Sequence, residues 1–268
     1  MNQEIPERYL QSITPDAGGW SDPQARLKTA FINNEFILYS QSILKLTASG
    51  DKRTHFEIFV RLQEEEQNLT PPGTFLPILE DHNLGPLLDR YVLRQVLAWC
   101  RLNRQRIACV MHINLCFSTL LDVDFPAFVE TELKAADCAG DSLCFEIPGA
   151  EISYEQGTRR FTAALRRIGC HVAVGSSESD HVVFEPLCDL TADFLKIGGR
   201  LIRDLTEDPV VAAEVQTTIR ACRAFGIQTI ATYVESPRTL DVVRNLQANY
   251  AQGYGISKPE PLDNLVKS

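Results

Sequence analysis

Eight short apolar runs rich in β-branched residues, most of them separated by amphipathic stretches, constrain this chain more than any other feature. The runs lie at residues 36–46, 56–62, 107–115, 143–147, 171–174, 194–197, 228–231 and 250–256. Helical patterns lie between them at 86–103, 125–136, 151–168, 209–225 and 236–245. Strand and helix in alternation predict a parallel sheet whose faces are covered by crossover helices. The punctuation agrees: Ser21-Asp22-Pro23 predicts the cap of a first helix, and Pro209 opens a helix that Gly226 closes.

The first two runs depart from this rule. The link expected between these two strands is only residues 47–53, with Gly50-Asp51 inside. A parallel crossover needs about a dozen residues, so this connection predicts a hairpin and one antiparallel strand. The 268 residues suit a single barrel of roughly 250 residues, and a 44% hydrophobic content supplies one large core. The predicted fold is therefore α/β, a (β/α)8 TIM-like barrel with one antiparallel strand, over residues 22–268. Pro6, Pro15 and Gly18-Gly19 mark residues 1–21 as an irregular lead-in.

Charge and cysteine usage narrow the function classes. A net charge of −9 argues against a nucleic-acid backbone as partner, because such binding is driven by clustered Lys and Arg. No apolar run reaches the ~18 residues of a membrane span, and the first residues lack the pattern of a signal peptide, so a cytoplasmic protein with no membrane partner is expected. The eight cysteines are scattered without a C-x-x-C pair, which predicts reduced thiols acting as small hydrophobes.

Two motifs carry the chemistry: Phe56-Glu57-Ile58-Phe59-Val60-Arg61-Leu62 on the second run, and Gln252-Gly253-Tyr254-Gly255-Ile256-Ser257-Lys258-Pro259 at the end. Together they resemble the opening and closing signatures of the EAL domain family, the bacterial phosphodiesterase module that cleaves cyclic di-GMP. The resemblance covers roughly residues 22–263. It implies the EAL type of barrel and a ligand at the C-terminal ends of the strands, where barrels of this kind place their sites. It also aligns Glu57, Asn114, Glu146 and Lys196 with catalytic and metal-binding positions of the family.

Other family carboxylates are missing. Gly175 and Ser176 stand where the resemblance puts a paired Asp-Asp, Gly149 replaces a second Glu, and Thr232 replaces the Glu of the seventh-strand motif. Glu178 and Asp180 fall in the loop beyond and are read as solvated. Two-metal phosphodiester cleavage needs enough anionic oxygens to hold both ions and acidify water. The four aligned residues are therefore read as vestigial, with no catalytic residue, no metal and no cofactor.

Residues that would hold the nucleotide are better kept. By resemblance these are Gln41, Arg61, Phe75, Pro77, Glu235 and Gln252. A guanidinium at Arg61 can grip a phosphate or the edge of guanine. Phe59, two residues from both Glu57 and Arg61, would stack on a base or plug the barrel. The expected function is a catalytically inactive receptor for cyclic di-GMP that passes the signal to a protein partner or a second copy of itself. The segment 182–187 is the expected contact. The alternatives are an interaction module that binds no nucleotide and, less favoured, an active phosphodiesterase.

Overall fold

The structure, a computed structural model, describes residues 20–48, 52–64, 68–149, 156–175 and 192–266. The lead-in over 1–19, Ser176, Glu178, Asp180, Cys188 and the 182–187 segment lie outside the described residues.

The barrel forms as the alternation predicts. Its eight staves are β1 (Phe36–Lys45), β2 (Thr54–Gln63), β4 (Cys109–Asn114), β5 (Leu143–Ile147), β6 (His171–Val174), β7 (Phe194–Ile197), β8 (Gln228–Ala231) and β9 (Tyr250–Ala251). Two-residue strands β3 (Leu69–Thr70) and β10 (Glu260–Pro261) extend the sheet beside β2 and β1. β1 runs antiparallel to both flanking staves, with Gln41 opposite Glu57 and Leu44 opposite Ala251, and this closes the ring. From β2 through β9 every stave pairing is parallel.

Helices α1 (Pro23–Ile32), α2 (Pro72–Asp81), α3 (Gly85–Asn103), α4 (Phe117–Leu120), α5 (Phe125–Ala136), α6 (Gln156–Arg167), α7 (Arg200–Arg203), α8 (Pro209–Ala224) and α9 (Pro237–Asn245) are formed. Their starts follow the local chemistry. Asp22, Asp208 and Ser236 each accept a backbone N–H of the first turn, and a proline follows each cap.

Two expectations are corrected. The run 250–256 is strand only at Tyr250–Ala251. Beyond it the chain lies directly on the loop after β8: a Cβ on Gly253 would stand 2.3 Å from the Val234 carbonyl oxygen, and one on Gly255 2.6 Å from the Glu235 carbonyl carbon. The stretch that carries Phe75 and Pro77, expected by resemblance to hold the nucleotide, is helix α2. Phe75 is completely buried with its ring 5.6 Å from that of Phe36, while Pro77 is exposed on the other side of α2.

The barrel interior is filled in layers, as inward side chains alternate with those facing the helices. A lower layer collects Ile43, Val110, Cys144, Ala173, Phe194, Ile230 and Tyr250. His55 and His112 share that space, His55 Nδ1 3.0 Å from His112 Nε2, with the His55 ring against Phe194 and Tyr250. Burial first, then the neighbouring His55, holds His112 far below the usual histidine range, so the ring is neutral. The floor under the strand C-termini is therefore packed, with a neutral His112 in it.

Candidate functional site

Period-2 alternation carries the inward face from His55 up to Glu57, Phe59 and Arg61 on β2, and from His112 to Asn114 on β4. The same parity brings Glu146 on β5 and Lys196 on β7 to the same level. Five of the residues singled out from the sequence meet there in one network, buried at Glu57, Glu146, Lys196 and Gln252 and exposed at Asn114. Glu57 is its hub: Asn114 Nδ2 donates to Oε1 at 2.8 Å, and Gln252 Nε2 donates to Oε2 at 2.6 Å. The Lys196 ammonium stands 2.7 Å from the same Oε2 and is also paired with Oε2 of Glu146.

Burial alone would raise Glu57, but Lys196 and the hydrogen bonds from Lys196, Asn114 and Gln252 outweigh it and hold the carboxyl below its ordinary value. Glu146 has only Lys196 to offset its burial and feels the negative charge of Glu57, so it is pushed up to about 7. Desolvation would lower Lys196, yet the two carboxylates drive it above the usual lysine range. One fixed cation is thus shared by two carboxyls, one firmly ionised and one close to half-titrated at neutral pH.

Gln41 joins from β1. Its Oε1 accepts from Gln252 Nε2 at 3.0 Å, and its Nε2 donates to the Ser257 carbonyl at 2.7 Å. The Ser257 hydroxyl in turn accepts Ser42 N–H at 3.2 Å, so the terminal segment is strapped across β1. Oε1 of Gln252 is buried without a donor among the described residues. Arg61 lies higher on β2. Its guanidinium covers Tyr39 at 5.7 Å and Phe59 at 5.8 Å, and its Nη1 donates to the Val60 carbonyl. Phe59 is half-buried there rather than plugging the barrel.

The remaining positions stand apart from this network. Gly175 follows β6 and presents no side chain; a Cβ there would lie 3.1 Å from Glu146 Oε1. Thr232 follows β8, its hydroxyl donating to the Ile197 carbonyl at 3.2 Å. Glu235 is exposed on the loop against which Gly255 packs. Among the described residues, no group of three or more His, Cys, Asp or Glu side chains is arranged to hold a metal ion. No helix among them is long and apolar enough to cross a membrane.

Sequence reasoning missed the supports. Tyr39 was detectable, since it lies two residues from Gln41 on the same face. Asp89 was not: it reaches from α3 to accept Cys116 N–H at 2.8 Å and the Thr119 hydroxyl at 2.6 Å, while Glu80 from α2 accepts Phe117 N–H at 2.6 Å. These two carboxyls pin the turn that follows Asn114, and only the packing of three separate helices shows it.

The family model described as EAL domain matches residues 24–259. The cyclic di-GMP phosphodiesterase PdeB of Shewanella oneidensis is 31% identical over 242 residues, covering 88% of this chain and 28% of that protein. The cyclic di-GMP phosphodiesterase PdeF of Escherichia coli is 28% identical, covering 88% and 32%. The chain thus spans about a third of the length of these relatives. Among solved structures, the FimX EAL domain of Pseudomonas aeruginosa bound to c-di-GMP superposes with a TM-score of 0.81 at 24% identity, covering 90% of this chain and 97% of that one. The PaMucR phosphodiesterase in its c-di-GMP complex gives 0.82 at 20%, covering 91% and 99%. Barrel topology, the strand-end network and the family match agree, and the chain belongs to the EAL domain family.

Proposed function

We propose that this domain binds cyclic di-GMP without hydrolysing it and passes the signal to a protein partner in the cytosol. The observation that carries this reading is a strand end poor in carboxylates, where Lys196 already pairs with the two that are present, Glu57 and Glu146. Every oxygen of Glu57 already accepts from Asn114, Gln252 or Lys196. Gly175 offers no ligand and the Thr232 hydroxyl is engaged. The side chains as arranged do not fit a pair of metals, so no step of hydrolysis is derived through them.

Binding needs less. Arg61 with Tyr39 and Phe59 provides a cation for phosphate beside flat rings for a base, and the donorless Oε1 of Gln252 is an acceptor for a ligand N–H or a water. The solved relatives that hold c-di-GMP support the same ligand class. Calorimetric titration with cyclic di-GMP, with and without Mg²⁺, tests the reading alongside a product assay. Metal-independent binding with no turnover is expected. Metal-dependent turnover would overturn it in favour of an enzyme like PdeB.

A second reading, a protein-interaction module that binds no nucleotide, is favoured by Gln41, whose amide is satisfied inside the protein by Ser257 and Gln252. Absence of binding heat and of any thermal shift with the nucleotide would select it.

A further inference from the structure

Among the described residues, five that are not glycine have a left-handed backbone: Asn34, Asn83, Asp137, Tyr233 and Gln247. Four of them lie one or two residues past the ends of α1, α2, α5 and α9, where a single left-handed residue is an ordinary way to close a helix. Tyr233 is different. It follows strand β8 at the barrel mouth, with φ 59°, and a bulky side chain there loses stability that glycine would keep. The turn is held on both sides of the strained residue. Thr232 N–H donates to the Ile197 carbonyl at 2.8 Å, and Val234 N–H to the Gln252 carbonyl at 2.9 Å. The side chain of the same Gln252 donates to Glu57 and Gln41, so the turn is tied to the strand-end network.

The Tyr233 ring is 38% exposed, and the guanidinium of Arg203, an exposed residue of α7, lies over it at 5.7 Å from the centroid. This repeats the composition of the Arg61 platform, where a guanidinium covers Tyr39 and Phe59. The two platforms stand at the same end of the barrel, and around the ring only β9 separates β8 from β1. Cyclic di-GMP carries two guanines and two phosphates, so a receptor for it can use two such pairs. We propose that Tyr233 and Arg203 form a second base platform: one guanine stacks on the Tyr233 ring and the Arg203 guanidinium faces a phosphate. The inference rests on the reading of cyclic di-GMP as the ligand, with Arg61 and its rings serving the other half of the molecule. It gives the strained backbone a role, since strain of this kind persists where the side chain is needed at a site.

Calorimetric titration with cyclic di-GMP tests the proposal on the full chain and on Tyr233→Gly, Tyr233→Phe and Arg203→Gln, each also melted without ligand. Tyr233→Gly is expected to raise Kd about 5–150-fold, the loss of one stacked base. Its unliganded Tm should hold or rise, because glycine adopts the left-handed backbone freely. Tyr233→Phe keeps the ring and should stay within about threefold of the wild type. Arg203→Gln should raise Kd about tenfold or more and make binding less sensitive to salt. A Tyr233→Gly chain that binds like the wild type overturns the platform and leaves the role of Arg61 standing. So does a fall in its unliganded Tm, which would make the ring a structural brace. A wild-type chain that gives no binding heat removes the receptor reading itself, and the platform with it.

Discussion

Replacing Lys196 by Met keeps the length of the side chain and removes the charge between Glu57 and Glu146. In the native protein that charge lies 2.7 Å from one carboxylate and against the other, with Lys196 only 4% exposed. Removing one partner of a buried ion pair costs about 3–5 kcal/mol, because the partner left behind stays desolvated and unpaired. The cost depends on pH in a direction the structure fixes. Glu146 titrates at about 7 in the folded state, raised first by burial and then by Glu57, with Lys196 opposing both. A raised carboxyl contributes stability that is full below its unfolded value near 4.5 and is lost as pH rises through the folded value. Without Lys196 the folded value climbs further, so the variant loses stability over a wider and higher range.

Urea unfolding followed by circular dichroism should then show a deficit of roughly 1–2 kcal/mol at pH 5 that widens to about 3–5 kcal/mol at pH 8. Adding Glu146→Gln to Lys196→Met should recover much of the loss at pH 8, since the carboxylate that most needs the cation is gone. An equal deficit at both pH values, or none, would refute Lys196 as the shared counter-ion.

Four further outcomes follow from the same geometry. Phe75→Ala should cost about 3–5 kcal/mol of stability by emptying a buried site beside Phe36, and leave nucleotide affinity unchanged when a folded sample is titrated. Arg61→Ala should weaken cyclic di-GMP by about 1.5–3 kcal/mol, roughly 10–150-fold in Kd by calorimetry, as loss of a charge-assisted contact. Gly175→Asp with Ser176→Asp should fail to create turnover in Mg²⁺ or Mn²⁺, because Thr232 is still not a carboxylate and a Cβ at 175 already stands 3.1 Å from Glu146; wild-type-like product formation on chromatography would count against this. Asp89, raised to about 7 chiefly by burial, should contribute stability that declines by up to about 4 kcal/mol between pH 4 and pH 7, and Asp89→Asn should flatten that part of the denaturation profile.

Topology was the most legible part of the sequence, for a physical reason. The short link between the first two apolar runs admits a hairpin and no crossover, and β1 against β2 in the Gln41–Glu57 register is the result. Helix ends were legible where a cap and a proline coincide, as at Asp208-Pro209. The α2 helix was missed because Pro71, Pro72 and Pro77 dominate its composition, yet prolines at the start of a helix cost nothing, and the helix forms with Pro77 inside it. Phe75 was assigned to the ligand by resemblance alone, whereas helical periodicity groups it with Ile78 and Leu79 on the buried side. In the site, period-2 alternation was enough to gather Glu57, Phe59 and Arg61 on one face. It could not reveal that Lys196 is bonded to both carboxylates, since that depends on how far β5 and β7 are staggered around the ring.

The stagger decides what the missing carboxylates mean. If Lys196 merely neutralised Glu146, Glu57 would keep oxygens open toward the barrel mouth, and the loss of acid at Gly175 and Thr232 would weaken a metal site without closing it. With the ammonium on both carboxyls, and Asn114 and Gln252 each donating to an oxygen of Glu57, a metal must compete with a buried cation and two amide hydrogen bonds for its ligands. Ordinary dianionic metal sites present their oxygens already repelling one another, and the ion relieves that repulsion on arrival. Here Lys196 has relieved it beforehand, so the electrostatic gain on binding Mg²⁺ is small while the desolvation cost of the ion is undiminished. The same arithmetic leaves Arg61 untouched, because its guanidinium rests on Tyr39 and Phe59 above the network. That separation lets the proposed receptor keep a grip on a phosphodiester while lacking the means to cut it.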